Sequence, residues 1–413
     1  MVVSSVKNGT IRLPRVEGSR VRGDSSQAVS IRILTTTPRK EEINFLDLLS
    51  SEGEEHAEDL PQGLLVNEDT KIPPVDKPAD TNWYQQMLEA FPKLKEAGIP
   101  ANVIDQLANI TQKRPSVFAK ESTDIGSTTA GEHTLELKEN YEAFKELSRR
   151  YSAEDREEAR KQVAKLLEHG VIEPSKSPFC SAFVMVGKKD GTRRMCIDYR
   201  RLNDLTIKDA YPLPRIDDCL DLLTSAKYFT ALDLCSGYWQ VPVRPEDRFK
   251  TAFAIDNELY QWKMMPFGLC NAVATFQRTM NNVLRKVKEK FPDKILCYID
   301  DILIATSDLD SHLEILGALF EALEEANLKV KPTKCEFLRT KCHFLGRVIE
   351  NGTIQPDREH VAKVLDWDQP RTVRQMQSFI GFCNYYREFV PRFSEVIEPL
   401  RRTMNICSKK LTW

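Results

Sequence analysis

The chain has almost no net charge. Its 59 Lys and Arg residues against 61 Asp and Glu leave −2 over 413 residues, so composition alone does not announce a nucleic-acid-binding protein. It has no apolar run approaching the ~20 residues of a spanning helix and no apolar core near the start that would mark a secretory signal. It has no C-x-x-C. Its ten cysteines run from Cys180 to Cys407, mostly within apolar stretches such as Met195-Cys196-Ile197 and Leu296-Cys297-Tyr298, and read as small buried hydrophobes of a reducing compartment. Cys335, Cys342 and His343 lack a fourth ligand at a zinc-like spacing. A glycine-rich phosphate loop, a Ser-His-Asp set and H-E-x-x-H are missing too. No repeat of about 20–50 residues is present, which excludes a solenoid.

Charge is informative in its placement. Residues 41–60 hold eight acidic side chains and no Lys or Arg, whereas Lys176–Arg201 holds seven basic residues against Asp190 and Asp198. An acidic leading segment thus masks a basic centre suited to a polyanion. Residues 1–80 are polar and punctuated by Pro, Gly and Ser, and read as disordered or as a linker; their Arg- and Ser-rich start faintly resembles a transit peptide. Short helices with interruptions at Pro92 and Gly98-Ile99-Pro100 follow within a connecting segment, 81–150.

From Ser152 the periodicity sharpens. Ser152 and Asp155 form a capping pair ahead of Ala159, Val163, Leu166 and Leu167 at helical spacing, and Gly170 supplies the stop. Residues 182–186 and 194–197 flank Lys188-Lys189-Asp190-Gly191, a hairpin with cations at its tip. Tyr228–Val243 is predicted as one strand bent at Gly237, Ala274–Lys290 as a helix, and Ser311–Ala326 as another. A hairpin turning at Asn351-Gly352 follows, and helical patterns return after Pro356. Hairpins interleaved with helices predict an α+β fold, an antiparallel sheet with helices on one face.

The chemistry concentrates at Tyr298-Ile299-Asp300-Asp301. Two adjacent carboxylates lie between apolar, strand-forming runs, where like charges repel unless a cation is present; a simple acidic turn is the bland alternative. Asp233, inside Ala231-Leu232-Asp233-Leu234, is a third carboxylate on a separate strand. Three carboxylates on two strands are the minimum for two Mg²⁺ ions, one activating a hydroxyl and the other neutralising a departing pyrophosphate. The predicted chemistry is nucleotidyl transfer or its hydrolytic relative.

These residues carry a resemblance. Lys188-Lys189-Asp190-Gly191 through Ile197-Asp198-Tyr199-Arg200-Arg201-Leu202-Asn203, Tyr211-Pro212-Leu213-Pro214 and Leu232-Asp233-Leu234-Cys235-Ser236-Gly237-Tyr238 come in order. So do Lys250-Thr251-Ala252-Phe253, Met265-Pro266-Phe267-Gly268-Leu269, Tyr298-Ile299-Asp300-Asp301, Phe344-Leu345-Gly346 and Asn384-Tyr385-Tyr386-Arg387. Together they resemble the reverse transcriptase region of the Pol polyprotein of gypsy-type LTR retrotransposons. The likeness runs from about Asp124 to the end, with Asp124-Ile125-Gly126 and His133 resembling the segment between protease and polymerase.

The resemblance implies a right-hand polymerase of fingers, palm and thumb: fingers and palm over 151–350, thumb and the start of a connection over 351–413. It implies RNA-directed DNA polymerase activity with two Mg²⁺, or Mn²⁺ in their place, on dNTPs and a primed RNA or DNA template. Asp233, Asp300 and Asp301 match the catalytic metal ligands, and Tyr238 the gate against ribonucleotides. Lys188 (or Lys189) and Arg194 would meet the triphosphate, Phe267 and Gly268 would lie beside the nucleotide, and Phe344, Leu345 and Gly346 would hold the primer end. Arg371 and Arg374 could track phosphates. Val273 stands where the family usually has Pro.

No protease D-[ST]-G, ribonuclease H, integrase zinc motif or zinc knuckle matches, so the chain is expected to be a module of a larger polyprotein. The implied setting is intracellular, without membrane: cytoplasm, virus-like particles or nucleus. The alternatives are a catalytically silent remnant or domesticated nucleic-acid-binding module, and a two-metal nuclease.

Overall fold

The computed structural model describes residues 82–146, 150–187, 193–365 and 367–406, together with two short strands, β1 (Arg32–Ile33) and β2 (Ile43–Asn44), which pair antiparallel. The rest of the expected linker and the basic hairpin tip at 188–192 lie outside the described residues. The chain divides into one unit of residues 67–341 and another of residues 1–66 with 342–413.

In the first unit, α1 (Trp83–Ala90) and α2 (Ala101–Lys113) send Met87, Val103, Ile104 and Leu107 into the main hydrophobic core. The connecting segment is therefore packed rather than free-standing. Its Gly126 is required by close approach: a Cβ there would lie 2.2 Å from the Asn327 carbonyl oxygen. α3 (Ala153–Glu168) begins as predicted, with Ser152 Oγ accepting the Asp155 N–H at 3.0 Å. After β3 (Ile172–Pro174), β4 (Phe183–Gly187) and β5 (Arg193–Ile197) form the basic hairpin, with Met185 opposite Met195. Two short helices follow, α4 (Arg200–Leu205) and α5 (Ile216–Leu223).

The predicted strand Tyr228–Val243 is shorter. β6 covers Tyr228–Asp233, and the chain then turns through Ser236, at φ 51°, into a 3₁₀ turn over Gly237–Gln240. The apolar run misled because Tyr238, Trp239 and Val241 are buried as turn residues, not as strand residues. β7 (Phe253–Ile255) and β8 (Glu258–Trp262) join β3 in a three-stranded sheet.

α6 (Ala272–Lys290) then leads to β9 (Ile295–Tyr298), β10 (Asp301–Thr306), α7 (Leu309–Glu325) and β11 (Glu336–Arg339). The central sheet runs β11-β6-β10-β9, antiparallel throughout. Asp301 is paired with Asp233 and Ile304 with Thr230. Side chains alternate faces along a strand, so Asp233 and Asp301 share one face while Thr230 and Thr306 share the other.

β12 (Lys341–Phe344), whose first residue is the last of the first unit, β13 (Arg347–Glu350) and β14 (Thr353–Pro356) form a sheet that otherwise belongs to the second unit. The β13–β14 turn is the predicted one: Asn351 and Gly352 have φ of 50° and 73°, as a two-residue hairpin turn of the primed type requires. Helices α8 (Arg358–Leu365), α9 (Val373–Tyr385) and α10 (Phe393–Ile406) follow, α9 opening on a capping box of Thr372 and Gln375. Met376, Ile380 and Ile397 make a small core of their own.

Candidate active site

The turn joining β9 to β10 is strained. Ile299 has φ 55°, a left-handed conformation unfavourable for a β-branched residue and costing roughly 1–3 kcal/mol. A side chain from α6 holds it. Gln277, fully buried, accepts the Ile299 N–H on Oε1 at 2.8 Å and donates from Nε2 to the Cys297 carbonyl at 3.1 Å. One amide thus clamps both sides of the turn that presents the two aspartates.

Pairing of β6 with β10 brings Asp233 and Asp301 directly opposite each other, and Asp300 lies at the turn beside them. Asp300 Oδ1 is buried with no hydrogen-bond partner. Burial, then Asp301 and Asp233, push its carboxyl up to about 7. Lys334 opposes that shift, and its Nζ lies 3.0 Å from Asp233 Oδ2. Repelling carboxylates, an orphaned carboxylate oxygen and one adjacent ammonium are the chemistry of a cation site. As positioned, no three acidic, His or Cys side chains among the described residues close around a single ion. An all-protein cage is not what Mg²⁺ requires, because it keeps waters and takes oxygens from substrate phosphates.

The neighbouring wall is aromatic. Gly237 is required by packing, since a Cβ there would come 2.9 Å from Asp300 Oδ1 and 3.0 Å from Phe276 Cζ. Tyr238 meets Phe267 edge to face at 4.9 Å and Phe276 at 5.2 Å. Burial, with Asp300 nearby, pushes its phenol well above the usual range. The Arg194 guanidinium lies over Phe267, 5.3 Å from the ring centre. Gly268, at φ 93°, is tied by its carbonyl to Asn203 Nδ2 at 2.8 Å.

The structure therefore links Asp233, Asp300, Asp301, Tyr238, Phe267 and Arg194 through consecutive contacts, with Gly268 next to Phe267. Lys188 lies outside the described residues. Phe344, Leu345 and Gly346 belong to the second unit, at the end of β12 and the turn into β13. Tyr385 Oη donates to the Leu345 carbonyl at 2.5 Å, and Tyr386 Oη reaches the Gly346 carbonyl at 3.4 Å. Arg371 and Arg374 are exposed there.

Sequence reasoning missed Gln277 and Lys334. Gln277 was detectable as an amide between Phe276 and Met280 on an otherwise apolar helix face. Lys334 left no signal, because only the return of the chain beside β6 brings it to Asp233. His133 is another polar residue of the core: its Nδ1 lies 2.9 Å from Thr275 Oγ1, and burial pushes it down to about 4.

Residues 186–349 match the family model described as reverse transcriptase (RNA-dependent DNA polymerase). Over 314 residues, 74% of the chain, it is 36% identical to the retrovirus-related Pol polyprotein from transposon 297 of Drosophila melanogaster, covering 29% of that protein. It is 38% identical over 255 residues, 60% of the chain, to the Pol polyprotein from transposon opus of the same fly, covering 25% of it. The chain thus spans under a third of the length of these relatives.

Among solved structures it is similar to the foamy viral protease-reverse transcriptase dRH in complex with double-stranded DNA, with a TM-score of 0.70 and 25% identity over 83% of this chain and 59% of that one. The same viral protein with an RNA/DNA hybrid gives a TM-score of 0.67 and 25% identity, with 82% of this chain and 45% of that one covered. The fold is α+β, that of a right-hand polymerase.

Proposed function

Residues 186–349 belong to the reverse transcriptase family, and from that premise we propose that the chain is an RNA-directed DNA polymerase of a retrotransposon Pol polyprotein, with Asp233, Asp300 and Asp301 as its catalytic carboxylates. The observation that carries this is the register placing Asp233 opposite Asp301 beside the buried, partnerless Asp300 oxygen. Divalent ions, two Mg²⁺ or Mn²⁺ in their place, would be held by these three side chains. When bound they would lower the pKa of a primer hydroxyl and neutralise charge on a departing pyrophosphate.

The chain's own residues supply the rest. Gln277 keeps the aspartates aimed by fixing the strained turn. Lys334 balances the carboxylate charge at Asp233 and would provide a cation beside the phosphates. Tyr238, wedged between Phe267 and Phe276, would exclude a 2′-hydroxyl, and Arg194, with Lys188, would meet the triphosphate. Phe267 and Gly268 would flank the nucleotide. Residues 151–350 would form fingers and palm, with Phe344, Leu345 and Gly346 holding the primer end, and 351–413 the thumb and the start of a connection, where Arg371 and Arg374 follow phosphates.

The partners would be dNTPs and primed RNA or DNA, and the setting intracellular. Among the described residues no helix is long and apolar enough to cross a membrane. Mg²⁺-dependent primer extension on an RNA template tests the reading, with Asp300→Asn as the inactive control. Extension by wild type alone supports it. Salt-sensitive duplex binding with no extension by either protein would instead indicate a silent nucleic-acid-binding module.

A further inference from the structure

Behind the carboxylates, on the opposite face of β6 and β10, His312 is fully buried. Its Nε2 lies 2.7 Å from Thr230 Oγ1 on β6 and its Nδ1 2.8 Å from Thr306 Oγ1 on β10. Two further bonds fix the direction of the chain. Thr306 Oγ1 donates to the Asp308 carbonyl at 2.8 Å, and the Leu338 N–H of β11 donates to Thr230 Oγ1 at 3.1 Å.

A carbonyl can only accept, so the Thr306 hydroxyl proton is already committed and His312 Nδ1 must donate to Thr306. Burial pushes His312 down to about 4, so at neutral pH the ring has one proton. Nε2 is then the acceptor, and Thr230 donates to it. The assignment satisfies every member: Leu338 N–H to Thr230, Thr230 to His312, His312 to Thr306, Thr306 to the Asp308 carbonyl. A single imidazole therefore ties together β11, β6, α7 and β10.

Thr230 sits three residues, about 10 Å, before Asp233, and Thr306 five residues, about 17 Å, after Asp301. We propose that His312 is a positioning residue for the carboxylate site, holding β6 and β10 in the register that sets Asp233 against Asp301, with the bond to Thr230 as the stronger lever because it lies nearer its aspartate. A one-residue slip would turn Asp301 away from Asp233, and a single imidazole bonded to Thr230 on one strand and Thr306 on the other opposes it. The inference rests on the reading of Asp233 and Asp301 as metal ligands.

Amide substitutions separate the two arms. Asparagine puts its polar atoms near the Nδ1 position and can serve Thr306; glutamine reaches the Nε2 position and can serve Thr230. In the full chain, His312→Ala is expected to lower kcat for primer extension about 10- to 100-fold, the scale of an ångström-level misplacement. KM for primer–template should stay within about twofold of wild type. His312→Gln should recover to within about threefold of wild type and His312→Asn should recover less. Thr230→Val, which removes only the hydroxyl, should behave like His312→Ala.

Mn²⁺ binding without nucleotide, followed by electron paramagnetic resonance, gives a readout independent of turnover. Affinity should fall in His312→Ala and Thr230→Val and return in His312→Gln. Equal Mn²⁺ affinity in all four proteins would overturn the inference, as would equal loss in the Gln, Asn and Ala variants in proportion to lost thermal stability. If wild type binds Mn²⁺ yet extends nothing, the polymerase reading fails, while the Mn²⁺ series still decides the role of His312.

Discussion

The two faces of the central sheet are built from the same strands to opposite specifications. On the face of Thr230 and Thr306, every polar group of the His312 network has a partner and the ring is neutral. At the carboxylates, one buried oxygen has none, like charges face each other and the adjoining turn is left-handed at Ile299. Satisfied networks rigidify, whereas unmet charge and backbone strain persist only where surrounding structure enforces them. The difference teaches that the rigid face supports the cost of the other, which is left incomplete for a cation to finish.

The sharpest way to break the contrast is to remove the unmet charge. Asp300→Asn is expected to cut primer extension by on the order of 10³-fold or more, as loss of a charge-stabilising group at a reacting centre does, while raising the thermal midpoint of the metal-free protein at pH 8. Quench-flow extension and calorimetry on the same preparation check both; a lower midpoint would mean that Asp300 is not a liability in the empty site.

Releasing the clamp is next. Gln277→Leu leaves the Ile299 N–H and the Cys297 carbonyl without their partner, at a cost of about 2–4 kcal/mol. It should reduce kcat roughly 10- to 100-fold through lost orientation. Denaturant titration and single-turnover extension measure the two effects, and a change in stability with an intact rate would remove Gln277 from the site.

The faces also oppose each other in pH. Asp300 is raised to about 7, so it contributes stability below its unfolded value that is lost as pH rises from about 4 to about 7. His312 and His133 are lowered to about 4, so their contribution is present above about 6.5 and is lost as pH falls towards about 4. Each effect is on the order of 3 kcal/mol. Urea midpoints between pH 4 and 8 should tilt one way in Asp300→Asn and the other way in His312→Gln; parallel curves would contradict the contrast.

The smallest change lies away from both faces. Lys290→Ala breaks an exposed pair with Glu314, 2.9 Å long with both side chains 60% exposed, and should alter stability by under about 1 kcal/mol with no change in extension.

Much of this was legible along the chain. Local signals located α3 with its Ser152 cap, the hairpin at Asn351-Gly352 and the two strands around Tyr298-Ile299-Asp300-Asp301, because caps, turns and period-two patterns act within a few residues. The overlong strand through Val243 failed for a reason of the same kind: burial in a 3₁₀ turn and burial in a strand look alike in an apolar run. Gln277 was half visible as an amide on an apolar face, but which backbone it serves was not.

Sequence alone thus determined which residues could carry charge chemistry and where most of the strands and helices flanking them begin, though not where the strand bearing Asp233 ends. It supplied the three carboxylates, the aromatic Tyr238 and the ordered blocks of the family. Only the tertiary structure decided that Asp233 faces Asp301, that Lys334 lies against Asp233, and that His312 joins β11, β6, α7 and β10. Those relations join residues up to about a hundred positions apart, and no local propensity encodes them; they exist only once the sheet register is set.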